Sequence, residues 1–146
     1  MLRVRGGGAG RAISNVVVRH LERDRFRIEI RGHELDVDQP IEDGGDDKAP
    51  TPTELFAASL ASCVGFYAER FLRRHDLPAE GLTAEYSFEM ATDRPARVSS
   101  IDVRLGLPAG IPRVRLSALR SVVEHCTVHN SLMQPPAVTI RLPGDP

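Results

Sequence analysis

One stretch constrains the fold more than any other: residues 50–67 are small or apolar on nearly every face of a helix. Thr51 can cap the N-terminus of this helix, Pro52 suits its first position, and Glu54 completes a Thr-x-x-Glu capping box. A helix that is apolar all round is usually surrounded by protein rather than by water. Continued to Arg74, it would be roughly 36 Å long at about 1.5 Å per residue. We therefore expect this helix to form the core.

Length and charge narrow the class of protein. The chain has 146 residues, which suit one domain, and a formal net charge of −1 at pH 7. This charge argues against nucleic acid or an anionic membrane as the main partner. No apolar run approaches the length of a membrane span, and no apolar N-terminal segment indicates a secretion signal. We expect a cytoplasmic protein with a flexible arm at residues 1–14 and a single domain at residues 15–146.

Short strands with alternating apolar and polar residues are predicted on both sides of the long helix. They cover residues 16–20, 26–30, 34–38, 82–91, 98–107 and 138–142. Pro112 opens a second helix with an apolar stripe that ends near Cys126, and a short helical piece follows at residues 127–133. Strands and helices occur in blocks, so the predicted class is α+β.

This layout leaves apolar surface to be covered. One small sheet covers only one side of a helix that is apolar all round, so a single copy would expose much of residues 51–74. A homodimer that buries the two copies of this helix against each other is the economical solution.

The chain contains two cysteines, Cys63 and Cys126, one in each helical region. Neither belongs to a multi-cysteine metal motif, and we expect both to be thiols at rest. Spacing alone leaves two interpretations open. They are either inert core residues, as buried cysteines often are, or a redox pair.

A metal site built from His125, Cys126 and His129 is a weaker alternative. With Cys63 these residues could supply four ligands, yet Cys-x-x-His is a weak pattern, and a histidine at a helix end more often caps the helix. We predict no metal. The sequence also has no phosphate loop or dinucleotide fingerprint, so no cofactor is expected.

Three aromatic residues near Cys63 have two possible roles. Phe56, Phe66 and Tyr67 could line a substrate pocket, but packing in the core is the more common role for such side chains.

Several motifs, taken in order, resemble the OsmC/Ohr family of osmotically inducible and organic hydroperoxide resistance proteins, in its broader OsmC-like branch. They are His33-Glu34-Leu35, Gly44-Gly45, Pro50-x-Pro52-x-Glu54-Leu55 before Cys63, and His125-Cys126-Thr127-Val128-His129. The resemblance covers roughly residues 15–142. It implies antiparallel sheets around two long central helices in an intertwined homodimer, and thiol-dependent reduction of organic hydroperoxides.

By this resemblance Cys63 is the peroxidatic cysteine and Cys126 the resolving one. A Cys63 sulfenic acid would condense with Cys126 to a disulfide, which an external dithiol would reduce. The alternative is a non-catalytic OsmC-like protein that binds a small apolar ligand at the dimer interface.

The sequence departs from the family pattern around Glu54. Hydroperoxide resistance proteins hold an activating arginine with a glutamate directly after the motif proline, where this chain has Thr53. One residue later on a helix is a rotation of about 100°, so the capping box explains Glu54 better, although a catalytic role stays open. The activating arginine is also ambiguous among Arg23, Arg25, Arg27 and Arg31, and we choose none of them.

Overall fold

The computed structural model describes residues 16–146, so the arm predicted for residues 1–14 lies outside the described residues. The chain forms two compact units, the first ending at Pro52 and the second comprising Thr53–Pro146. Within the described part, five strands and three α-helices follow in the order β-β-β-α-β-β-α-α. Both sheets are antiparallel. The predicted α+β class is confirmed.

The first unit is a three-stranded meander. Its strands are β1 (Val16–Glu22), β2 (Arg25–Ile30) and β3 (His33–Val37). Ile28 lies opposite Val18 on one side and Leu35 on the other, so apolar side chains share one face of this sheet. Arg27 lies between Arg19 and Asp36 on the polar face. The alternation of apolar and polar residues predicted for β2 matches these two faces.

A buried carboxylate organises the loop after β3. The Asp38 carboxylate accepts hydrogen bonds from the backbone N–H groups of Lys48 (3.0 Å) and Gln39 (2.8 Å). Its own N–H donates to the carbonyl oxygen of Pro50 at 3.1 Å. The backbone N–H of Lys48 is the main reason that the pKa of Asp38 is lowered. The loop is thereby closed just before the long helix begins.

The long helix, α1, runs from Pro52 to Arg74 and begins where the Thr51-Pro52 signal predicts. It is followed by the hairpin of β4 (Thr83–Met90) and β5 (Val98–Gly106). The second helical region is divided. A 3₁₀ turn at Arg113–Arg115 leads into α2 (Leu116–Val123), and α3 (Thr127–Met133) begins after a break at Cys126.

The core of the second unit consists of two clusters of buried side chains. The first contains Ala68, Phe71, Leu72 and Leu119, and the second contains Leu60, Val64 and Cys126. The α1 members recur every three or four residues, so they form one buried face of the helix. The opposite face is open, with Phe56 44% and Phe66 53% exposed. A single copy of the chain therefore leaves part of α1 exposed, as the sequence predicts.

Two expectations need correction. Residues 138–142 form no strand, and Val138, Ile140 and Leu142 are strongly exposed, because no strand of the described chain pairs with their backbone. Helix α1 does contain an 18-residue window of mean hydropathy 1.2, which satisfies a membrane span by length and composition. The buried face of α1 accounts for this apolar character, since core helices pass the same test.

Candidate active site

Cys63 lies at the middle of α1, where its side chain is half-buried. It packs against the cluster of Leu60, Val64 and Cys126. This position follows from helical spacing, because residues 60, 63, 64 and 67 lie on neighbouring parts of one helix surface. Cys63 is thus held by a rigid element and still keeps an exposed fraction.

Cys126 is completely buried, with 0% of its surface exposed, and it occupies the N-cap of α3. Its backbone is extended (φ −66°, ψ 155°), as an N-cap requires, and its Sγ accepts a hydrogen bond from the N–H of His129 at 3.4 Å. Sulfur is a weak acceptor in a place that serine or threonine usually fills. The break between α2 and α3 therefore fixes the direction of this side chain.

The fold brings the two cysteines together. Burial raises the pKa of the Cys126 thiol, and the N–H of His129 lowers it in part. The neighbouring Cys63 side chain, which packs against the same cluster, raises this pKa further. Both residues are free thiols. Burial of Cys126 therefore favours its thiol form.

Tyr67 joins the two helices that carry the cysteines. Its hydroxyl group lies 2.9 Å from Oγ1 of Thr127, and either group can be the donor. Tyr67 is one helical turn after Cys63, and Thr127 directly follows Cys126. No local pattern in the sequence predicts this contact, because the two residues are sixty positions apart.

A cavity of about 660 Å³ lies between β5, α2 and the middle of α1. Leu60 and Val64 line it, and these two residues also pack against Cys126. His129 lines it as well, and its Nδ1 is buried without a hydrogen-bond partner in residues 16–146. Most of the other lining side chains are apolar. The cysteine cluster is therefore adjacent to space for a small organic molecule.

The aromatic residues near Cys63 divide into two groups. Tyr67 packs against the cysteine cluster. Phe56 and Phe66 are exposed, so the expectation that they belong to the core is wrong; they project from the open face of α1. Arg70 covers part of Phe66, with its guanidinium carbon 5.5 Å from the ring centroid.

Glu54 is in the first turn of α1, and its carbonyl oxygen accepts a hydrogen bond of 3.4 Å from the hydroxyl of Tyr86. Cys63 is nine positions further along α1, which corresponds to about 13.5 Å along the axis and a rotation to the opposite side of the helix. Helix geometry therefore does not place the two side chains together. A catalytic role for Glu54 stays a prediction.

Three of the four candidate arginines make ion pairs within the first unit. Arg27 pairs with Asp36 (2.9 Å) and Glu34 (3.5 Å), and its hydrogen bond lowers the pKa of Asp36. Arg23 bonds the carbonyl oxygen of Gly44 at 2.7 Å and pairs with Asp46 at 3.6 Å. Arg25 pairs with Glu22 at 3.5 Å, while its Nε is buried with no partner among the described residues. An activating role for any of the four stays a prediction.

The alternative metal site has no matching arrangement in the part of the chain that the structure describes. There, no three His, Cys, Asp or Glu side chains are grouped as ligands. Nδ1 of His125 instead donates to the carbonyl oxygen of Ser121 at 2.6 Å.

Comparison with known proteins places both cysteines inside a family pattern. A family model described as OsmC-like protein matches residues 45–141. No curated protein sequence matches the chain significantly. The matched segment covers α1, the β4–β5 hairpin, α2 and α3, and therefore the entire cysteine cluster.

Several crystal structures share the fold. One, described as an osmotic stress induced and detoxification response protein from Psychrobacter arcticus 273-4, is 25% identical with a TM-score of 0.76, over 83% of this chain and 89% of that chain. An organic hydroperoxide resistance protein OsmC from Legionella pneumophila is 18% identical with a TM-score of 0.63, over 84% and 91%. The organic hydroperoxide resistance protein OhrB of Bacillus subtilis is 16% identical with a TM-score of 0.61, over 85% and 94%.

Proposed function

The chain belongs to the OsmC-like protein family, and from this premise we propose that it is a cysteine-based peroxidase that reduces organic hydroperoxides. The observation that carries the proposal is the meeting of Cys63 and Cys126 in one cluster, although 62 other residues separate them in the chain. Relatives of the same fold include proteins described as organic hydroperoxide resistance proteins. The adjacent apolar cavity supports an organic rather than an inorganic peroxide as substrate.

The proposed reaction has three steps, and atoms and electrons balance in each of them. The Cys63 thiolate attacks one oxygen of the hydroperoxide, the O–O bond breaks, and the other oxygen leaves as an alkoxide that takes a proton to become the alcohol. Cys63 is now a sulfenic acid. The Cys126 sulfur attacks the Cys63 sulfur, and water leaves as the disulfide forms. An external dithiol then reduces the disulfide to two thiols and is itself oxidised.

The environments of the two cysteines support this division of roles. A peroxidatic cysteine must reach a substrate, and Cys63 is the one with an exposed fraction. A resolving cysteine needs only to reach its partner, and Cys126 is buried beside Cys63. Burial raises the pKa of Cys126, which favours the thiol form of this residue. Formation of a disulfide requires Cα atoms within about 7 Å, a demand that neighbours in one packed cluster can meet.

The assembly is part of the proposal. Phe56 and Phe66 on the open face of α1, and exposed Val16 and Val18 of β1, leave apolar surface that a second copy could cover. We propose a cytoplasmic homodimer, a single domain at residues 15–146, and a dithiol reductant. These features are proposals that go beyond membership of the family.

A second candidate function is supported by the cavity itself. Its volume of about 660 Å³ is in the range of small-molecule sites, and apolar side chains form most of its lining. In that case the protein would bind a small apolar ligand, and its cysteines would be inert.

The test is the intact mass and free-thiol count of the reduced protein after one equivalent of cumene hydroperoxide. Wild-type protein is expected to lose two hydrogens and both thiols rapidly. Cys126→Ser should gain one oxygen on Cys63, whereas Cys63→Ser should not react. If both thiols survive excess hydroperoxide, the peroxidase proposal is wrong and the ligand-binding alternative is favoured.

A further inference from the structure

A second cavity, of about 600 Å³, lies between the C-terminal half of α1 and the end of α2. It differs from the first in charge. Arg70, Arg74, His75 and His125 line it, and no carboxylate side chain does. No local sequence pattern indicates this cavity, because its lining residues come from two helices separated by the β4–β5 hairpin.

The two arginines that line this cavity are not neutralised by a carboxylate of the described residues. Arg73, between them, pairs with Glu69 at 3.0 Å and is not part of the lining. Arg70 and Arg74 form no ion pair with any carboxylate in residues 16–146; Arg70 instead lies against the ring of Phe66. Two like charges beside one cavity repel each other, and a bound anion would relieve that repulsion.

Each histidine of this cavity uses one ring nitrogen for a hydrogen bond to the backbone. Nδ1 of His75 lies 2.8 Å from the carbonyl oxygen of Phe71, and Nδ1 of His125 lies 2.6 Å from that of Ser121. A carbonyl oxygen only accepts, so each Nδ1 carries the hydrogen. Each Nε2 is therefore left for another partner.

Apolar groups complete the cavity. Tyr67, Phe71 and Val122 line it together with the basic side chains. A ligand that matches this surface carries an anionic group on an apolar or aromatic body. Arginine recognises carboxylates through paired N–H donors, which gives orientation as well as affinity.

The cavity is close to the cysteine cluster. Tyr67 belongs to both, and His125 directly precedes Cys126. Along α1, the spacing from Cys63 to Arg70 and Arg74 keeps all three on one side, with axial offsets of about 10.5 Å and 16.5 Å. Helical side chains lean toward the N-terminus, and the Arg70 guanidinium does so, since it lies against Phe66.

We propose that this basic cavity binds the carboxylate of an organic acid whose apolar body extends toward Cys63. That the acid is itself a hydroperoxide rests on the proposed peroxidase function; binding of the carboxylate does not. The preferred substrates would then be hydroperoxides with a carboxylate several atoms from the peroxide group.

Binding is tested first, with unreactive probes. Reduced protein is titrated with para-isopropylbenzoate and with the neutral para-isopropylbenzamide by calorimetry. The benzoate should bind more tightly, and Arg70→Gln or Arg74→Gln should weaken it about 10–100-fold, the usual effect of a lost charge-assisted contact. The matched control, Arg73→Gln, should leave its Kd within about twofold. Equal binding of benzoate and benzamide, or equal loss in all three variants, would overturn the anion site.

Reaction is tested next, by comparing cumene hydroperoxide with its para-carboxylate. Wild-type protein should consume the carboxylate faster, and Arg70→Gln and Arg74→Gln should remove this preference while the neutral compound keeps its rate. If the benzoate binds but neither hydroperoxide is consumed, the anion site is supported and the peroxidase proposal is wrong. If both hydroperoxides are consumed at equal rates and the benzoate does not bind, the peroxidase proposal is supported and the anion site is wrong.

Discussion

Cys63 and Cys126 are the same residue type in two contrasting environments. Cys63 lies at the middle of an uninterrupted helix and is half-buried, whereas Cys126 lies at the break between two short helices and is fully buried. Cys63 faces the cluster from a rigid helix, while the Cys126 sulfur accepts the N–H of His129 as a helix cap. The difference shows that accessibility and local backbone, rather than residue type, divide the work of a thiol pair.

The largest expected effect separates the two cysteines by their chemistry. Cys63→Ser should lower the rate of hydroperoxide consumption by at least about 1,000-fold, because a serine hydroxyl is not ionised near neutral pH. Cys126→Ser should keep the first reduction, and with excess hydroperoxide and no reductant its Cys63 should advance to the sulfinic acid. Mass spectrometry would show two added oxygens. Equal loss of the first reduction in both variants would contradict the assignment.

A smaller effect is expected at the contact between the helices. Tyr67→Phe removes the hydrogen bond to Thr127 and should slow disulfide closure about 3–10-fold, while sulfenic acid formation keeps its rate. Rapid quenching with a thiol reagent measures both steps. Tyr86→Phe is the matched control, since it also loses a hydroxyl hydrogen bond, to the Glu54 carbonyl oxygen, away from the cysteines. A similar slowing in Tyr86→Phe would show that Tyr67 has no special positioning role.

A still smaller difference between the two cysteines is expected in the free energy of unfolding. Cys126→Ala removes a buried side chain and a helix cap and should cost about 1–2 kcal/mol of unfolding free energy. Cys63→Ala should cost less than about 0.5 kcal/mol, because alanine is the better helix former at a half-buried position. Urea unfolding under reducing conditions measures both. The reverse order would mean that Cys63 is the structural cysteine.

The smallest effect is a pH dependence. The pKa of Cys126 in the folded protein is raised above its ordinary value of 9.0. Below pH 9.0 the Cys126 thiol holds its proton in both the folded and the unfolded protein, so its contribution to stability is complete. As the pH rises further, the thiol ionises first in the unfolded protein, and this contribution is lost. Wild-type protein should therefore lose more stability than Cys126→Ala between about pH 8 and pH 10. Parallel pH curves would contradict the raised pKa.

The sequence predicted α1 and the strand alternation because these depend on neighbouring residues. Pro52 and the apolar run after it define α1, and the pattern around Ile28 defines the register of the first sheet. The strand at residues 138–142 was predicted wrongly for a related reason. Alternation reports a preference for extended backbone, whereas a strand also needs a neighbour to bond with.

The site was predictable only in part. The resemblance supplied Cys63 and Cys126, and the fold brings them together. The contact of Tyr67 with Thr127 and the basic cavity around Arg70 and Arg74 come from packing between elements that are distant in the chain. The apolar pattern of α1 suggested that Phe56 and Phe66 pack in the core. The exposure of these two side chains, however, depends on what covers α1. Local patterns do not encode such contacts.

Mapping the disulfide after one equivalent of cumene hydroperoxide shows directly whether Cys63 and Cys126 form a redox pair. Trypsin cleaves on either side of the two cysteines, so residues 49–70 and residues 121–141 are released as separate peptides from the reduced protein. After hydroperoxide treatment, a non-reducing digest should contain these two peptides joined through Cys63 and Cys126. Recovery of both peptides unlinked, with the hydroperoxide unconsumed or with Cys63 oxidised alone, would contradict the account.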